Sequence, residues 1–137
     1  MSIFLRGRGL VEGLALGEAI VVDKPISFLG DVDPRTGEIV GLNGRFRGTK
    51  VTGKILVFPH SKGSTVGSYI IYELSRRKLA PLAMVVRKAE PIIIVGCVLA
   101  GIPLIDNVTP DPLANIRSGD NVRVDAYRGI VEVLVDE

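Results

Sequence analysis

The residues best suited to chemistry lie together in one stretch, Phe58-Pro59-His60-Ser61-Lys62-Gly63-Ser64-Thr65-Val66-Gly67-Ser68-Tyr69. Hydroxyls from Ser61, Ser64, Thr65 and Ser68 stand near a fixed cation, Lys62. The apolar run Lys54-Ile55-Leu56-Val57-Phe58 precedes them, and a helical pattern follows to about Lys78. A strand, a Gly/Ser loop and a helix in that order present unpaired backbone N–H groups, and the helix dipole adds partial positive charge. Such a loop suits an anion or a reacting oxygen. Pro59 and Gly63 help to fix the turn from strand to helix. The same residues also fit a purely structural role, because Ser64 or Thr65 is a favoured helix cap at this point. The spacing is not a Walker loop: Gly63 and Gly67 bracket only three residues, and no lysine follows the second glycine.

Two further side chains could carry chemistry. His60 adjoins the loop, where a hydrogen-bonded structural role competes with a catalytic or phosphate-carrying one. No G-x-S-x-G elbow accompanies it, which argues against a serine hydrolase. Cys97 lies in an apolar stretch and reads as a small core residue. The chain has one Cys, so it has no intramolecular disulfide framework. It also shows no cluster of metal ligands.

The elements that must position this loop follow from pattern. Residues 2–23 read as strand-rich, with Gly7, Gly9, Gly13 and Gly17 marking tight turns or bulges. Between 25 and 37, Asp-Pro and Thr-Gly are turn chemistry, Phe28 and Leu29 are expected to pack inward, and Asp31 and Asp33 stabilise turns or line a site. The stretch 43–53 carries Arg45, Arg47 and Lys50 in an exposed turn. After the loop, Val66, Tyr69, Ile70 and Leu74 fall at helical spacing, with Arg76, Arg77 and Lys78 at the C-terminal end where cations suit the dipole. Ser64 and Ser68, four apart, are expected to project from one face. Ala80-Pro81 stops the helix and residues 82–86 form a short buried strand. Pro91 just inside and Gly101 just past the next apolar run mark a helix, although its β-branched residues also suit a strand. Ile102 to Asp106 is a short strand, Asp111 to Ile116 a turn and a helical turn. The alternating runs 121–127 and 130–135 form a hairpin about Arg128-Gly129.

Strands at both ends and strand–helix units in the middle imply a single α/β domain, 1–137, with a mixed sheet. Its 137 residues are enough for a real core. Hydrophobic residues make up 47% and charged ones 23%, an ordinary soluble composition. Net charge is only +2 and the aromatics are few, which argues against a nucleic-acid surface. The apolar run near the start is too short for a signal peptide, and nowhere do 18 apolar residues run together. The chain therefore reads as cytoplasmic, with no membrane partner.

In order and spacing, PISFLGDVDPRTG, GKILVFPHSKGSTVGSYIIYEL and AEPIIIVGCVLAGIPLID resemble the small-subunit family of archaeal phosphomevalonate dehydratases, within the aconitase X group. One departure is Asp31, which stands where that family usually has a second glycine after Phe-Leu-Gly. The resemblance implies the swivelling β/β/α domain found at the C-terminal end of aconitases. It implies a large catalytic subunit as partner, and a [4Fe–4S] cluster held by that partner and not by this chain. It implies dehydration of (R)-mevalonate 5-phosphate to trans-anhydromevalonate 5-phosphate. The family's proton acceptor maps onto Ser64, with Lys62, Gly63, Thr65 and Ser68 as substrate-binding or supporting neighbours. A related aconitase X-type dehydratase, a phosphohistidine carrier using His60, and a non-catalytic module binding a phosphorylated metabolite are the alternatives.

A cubane cluster normally takes at least three cysteines, so the purified chain is predicted to be colourless and inactive alone. A brown preparation whose absorption vanishes in Cys97→Ala would overturn that division of labour. Arg45, Arg47 and the 28–37 loop are expected to border the partner or the pocket mouth. Changing both arginines to Ala should weaken assembly or raise the Michaelis constant, and unchanged assembly and kinetics would leave a solvated turn.

Overall fold

The computed structural model describes residues 2–135. Its strands are β1 (Ser2–Val11), β2 (Leu14–Val21), β3 (Ile55–Phe58), β4 (Ala83–Val86), β5 (Leu104–Thr109), β6 (Asn121–Asp125) and β7 (Ile130–Leu134). They close into a barrel in the order β1-β5-β4-β3-β2-β6-β7, because β1 pairs with β7 as well as β5. The β2–β3, β3–β4 and β4–β5 pairs are parallel and the others antiparallel. The mixed sheet is the one expected from the sequence, but its closure is not visible in any local pattern.

Parallel pairing requires crossovers: the segment 22–54 joins β2 to β3, and two helices provide the others, α2 (Gly67–Arg76) from β3 to β4 and α3 (Pro91–Ala100) from β4 to β5. The β-branched run resolves as helix. Pro91 opens α3 and Gly101, at φ 69°, closes it, while Ile102 N–H donates to Cys97 O across the end. Single helical turns lie at α1 (Phe28–Asp31) and α4 (Pro112–Asn115), the latter capped by the Asp111 side chain on Leu113 N–H. The C-terminal hairpin is as expected, its turn held by Asp125 Oδ1 accepting from Tyr127 and Arg128 N–H.

Alternation divides the apolar residues between two cores. Leu5, Ala19, Ile55, Val57, Ala83, Val85, Ile105, Val122, Val124, Val131 and Val133 fill the barrel, with every strand contributing. Leu56, Phe58, Met84 and Val86 point the other way and meet Ile71 and Leu74 of α2 and Ile93 and Cys97 of α3. Both faces of β3 and β4 are thus buried, which is why both read as unbroken apolar runs. Each fully buried aliphatic side chain contributes about 1.5–3 kcal/mol.

Two expectations need correcting. On α2 the buried residues are Gly67, Ser68, Ile71 and Leu74, whereas Val66 and Tyr69 are 42% and 67% exposed, because the inward face is shifted by close packing against α3. Phe28 is buried edge-to-face on Phe58, but Leu29 points outward because Leu29 and Gly30 leave helical geometry. The glycines of β1 mark bulges, as expected: its pairing with β5 shifts register between Arg6 and Arg8 and between Gly9 and Val11, inside one long strand.

Asp31 and Asp33 both stabilise turns. Asp31 Oδ2 accepts from Ser27 N–H at 2.8 Å and Asp33 Oδ1 from Arg35 N–H at 2.9 Å. That backbone donor, with the Arg35 side chain, holds the Asp33 carboxyl below its ordinary pKa.

A Cβ on Gly9 would stand 1.8 Å from the Ala126 carbonyl oxygen, which belongs to the hairpin turn and cannot easily retreat. Gly9→Ala should therefore cost at least about 2 kcal/mol of stability by denaturant unfolding. An unchanged midpoint would show that the barrel seam is looser than drawn.

Candidate active site

Because β2 to β5 run parallel, the segments that follow them emerge at one rim of the barrel, the edge where open α/β sheets place their sites. The loop 59–66 leaves β3 at this rim. Its neighbours are the segment after β2 and residues 87–90 after β4. The PISFLG and SKGSTVG stretches, far apart in sequence, meet here. Ile26 N–H donates to His60 O at 3.2 Å, and Lys62 N–H donates to Ile26 O at 3.0 Å. On the other side, Arg87 N–H donates to Pro59 O at 3.0 Å.

Gly63 is where this junction most needs a glycine. Its φ is +92°, and a Cβ there would come 2.5 Å from Ser27 Oγ. Ser64 follows, exposed, with its hydroxyl accepting the Val66 N–H at 3.1 Å. Its carbonyl accepts the N–H of Gly67, the first residue of α2, at 3.0 Å. Ser64 thus caps a tight turn that leads into the helix and is not itself helical. The capping and catalytic readings are compatible, since an N–H that caps a hydroxyl also stabilises its alkoxide.

The other sequence-predicted residues separate. Lys62 and Thr65 are exposed beside Ser64. Ser68 is 7% exposed and donates to Ile92 O at 2.7 Å, tying α2 to α3. It therefore does not share an outward face with Ser64: Ser64 precedes the helix, and packing against α3 turns Ser68 inward. Gly67 faces the same contact: a Cβ there would be 3.2 Å from Ile92 Cγ2, so that methyl would have to give by a few tenths of an ångström. Between α2 and α3 an open apolar groove of about 310 Å³ begins at Thr65 and runs past Tyr69, Pro91, Val95 and Leu99. It starts one residue from Ser64.

His60 lies seven residues before the start of α2, and its Nδ1 is 3.0 Å from Ser61 O. Nδ1 is also 4.0 Å from Glu90 Oε1. Arg45 and Arg47 lie beyond the segment after β2, with Arg45 over the Phe46 ring and 3.4 Å from Asp23. Neither arginine lines the groove that starts at Thr65.

Cys97 is fully buried, its Sγ 3.7 Å from Met84 Sδ, and burial pushes its thiol pKa up to about 12. A thiol held protonated in a closed core is no metal ligand. Among the described residues no three His, Cys, Asp or Glu side chains gather as a metal-binding group. No helix among them is long and apolar enough to cross a membrane.

Sequence reasoning missed the linkage behind the loop. Asp106 on β5 is fully buried, paired with Arg8 and hydrogen-bonded to Ala89 N–H, and Ser61 is joined to Glu90. These partners lie 17 to 98 residues apart in sequence, so no local pattern reports them.

A family model, the aconitase X swivel domain, matches residues 4–133. The phosphomevalonate dehydratase small subunit of Pyrococcus furiosus is 50% identical over 130 residues, covering 95% of each chain. That of Methanosarcina mazei is 45% identical and covers 98% of this chain and 93% of its own. The crystal structure of Thermococcus kodakaraensis aconitase X in its holo-form superposes with a TM-score of 0.92 at 47% identity, covering 97% of this chain and 99% of that one. The relatives are thus subunits of a dehydratase, and the barrel with its two crossover helices is their fold. This chain belongs to the aconitase X swivel-domain family.

Proposed function

We propose that this chain is the small subunit of a two-subunit hydro-lyase that dehydrates (R)-mevalonate 5-phosphate to trans-anhydromevalonate 5-phosphate. In that reading Ser64 takes the carbon-bound proton. The named relatives support the class of enzyme and the small-subunit role. The observation that carries the chemical reading is the exposed Ser64 hydroxyl at the parallel rim, already receiving a backbone N–H from Val66.

Elimination of water needs a base for the C–H proton and an acid for the departing hydroxyl. A serine hydroxyl is a weak base in water, so Ser64 acts as the alkoxide, its own proton having passed to solvent before the loop is covered, and that alkoxide must be stabilised where it forms. Val66 N–H points at Ser64 Oγ, the first turn of α2 adds its partial positive charge, and Lys62 brings an ammonium two residues away. Covering the loop with a second protein surface would exclude water and strengthen each of these effects. Gly63 and Thr65 shape the loop, and Ser68 secures the helix behind it.

The residues of this chain do not fit an iron–sulfur cluster. Its one cysteine is locked in the core, and the described side chains offer no ligand group. The [4Fe–4S] cluster implied by the resemblance is therefore assigned to the large subunit, and no step on this chain runs through it. The proposal places the complex in the cytoplasm and gives it a phosphorylated small molecule as substrate.

Ser64→Ala removes the proton acceptor and keeps every backbone donor. In the assembled complex turnover should fall about 10²–10⁴-fold, with Michaelis constant and assembly nearly unchanged. Loss of the cap costs about 0.5–2 kcal/mol, so folding is checked by circular dichroism. Ser68→Ala is the control: it should lower stability and leave the chemical step. Normal turnover by Ser64→Ala, or abolition by Ser68→Ala alone in a folded complex, overturns the assignment.

A further inference from the structure

The segment after β4 is tied at both ends of a short path that leads to Ser64. Asp106, fully buried on β5, accepts from Arg8 Nε and an Arg8 terminal nitrogen at 3.0 Å each, and from Ala89 N–H at 3.0 Å. A buried carboxylate with three charge-assisted or backbone donors cannot shift without leaving some of them unpaired. Ala89 is therefore fixed to the barrel. Glu90, the next residue, stands directly before Pro91 at the N-cap of α3, a position where shorter Ser, Thr, Asp or Asn side chains are the usual caps. It makes no cap hydrogen bond. Its Oε2 instead accepts from Ser61 Oγ at 2.5 Å, and Ser61 is 3% exposed. The carboxylate is spent on the neighbouring loop.

We propose that Glu90 is a positioning residue for Ser64: its carboxylate, anchored through Ala89 to Asp106, holds Ser61 and so sets where the Ser64 hydroxyl stands. This rests on the reading of Ser64 as the base. Ser64's own hydrogen bonds, to Val66 and Gly67, are local and travel with the loop. The loop's placement on the rim depends on contacts further back, to Ile26 on one side and, on the other, to Arg87 at Pro59 O and to Glu90, the one that reaches furthest toward Ser64. Gly63, between Ser61 and Ser64, has no side chain to add a restraint. A reacting group misplaced by about 1 Å loses about 10²-fold in rate.

The test uses the complex with its large subunit and the variants Glu90→Ala, Ser61→Ala, their double, and Glu90→Gln, which keeps an acceptor oxygen. Each single Ala variant should lower kcat about 10- to 10²-fold with KM held within about threefold. The double should be no worse than the weaker single, because both remove one hydrogen bond. Glu90→Gln should recover most of the turnover. Amide hydrogen exchange on the folded chain gives a readout independent of assembly: protection at Lys62, whose N–H is bonded to Ile26 O, should fall in Glu90→Ala. Turnover within about twofold of the parent in both singles, additive losses, no recovery by Gln, or unchanged exchange across 60–66 would each overturn the inference. Ser64→Ala, run alongside, separates the two ideas. If it retains turnover, the base assignment falls; if it loses turnover while Glu90→Ala does not, only the positioning role falls.

Discussion

Burial of β3 on both faces is the constraint on which the molecule depends. Ile55 and Val57 point into the barrel, Leu56 and Phe58 toward the helices, and none of the four has any exposure. A strand hidden on both sides needs hydrogen-bonded neighbours on both edges, and here both neighbours are parallel. Parallel neighbours require crossovers: the segment 22–54 and α2 link β3 to its two neighbours, and α2 packs outside the barrel beside α3, the crossover from β4 to β5. Their packing against the outer face buries Phe58 and leaves the chain to turn at Pro59. The site loop is where this strand reaches daylight.

The loop's own sequence is then a set of answers to close packing. Gly63 permits a left-handed turn against Ser27, Gly67 lets α2 approach Ile92, and Gly96 does the same from α3 against Ile71 and Ser68. Between these contacts Ser64 is left exposed with a donor aimed at its oxygen. Rigid support behind an exposed hydroxyl is the arrangement expected of a group that must be pre-placed before its substrate arrives.

Much of this is legible in the sequence, because periodicity and turn chemistry are local. The loop at 59–66, the α2 and α3 helices and the C-terminal hairpin follow from Pro59, Gly63, Pro91, Gly101 and alternation at 121–135. What the sequence hides is non-local. Closure depends on β1 reaching β5 and β7, whose residues lie about a hundred positions later, and nothing in SIFLRGRGLV announces it. The inward face of α2 is hidden by the polarity of Ser68, which packing against α3 buries and whose hydroxyl finds its acceptor in Ile92 O. Asp106 looked like the end of a strand, and its role depends on Arg8, 98 residues away.

Closure of the barrel also decides how this protein can meet others. An open sheet carries a row of unpaired N–H and C=O groups along each outer strand, and proteins often join by adding a strand there. In the β1 to β7 ring every strand has a neighbour on each side, so no strand offers a whole free edge to that route. A chain that binds this one is expected to recognise it mainly through side chains, loops and helix ends. The same closure leaves the molecule without a free outer strand to serve as a template for stacking onto copies of itself.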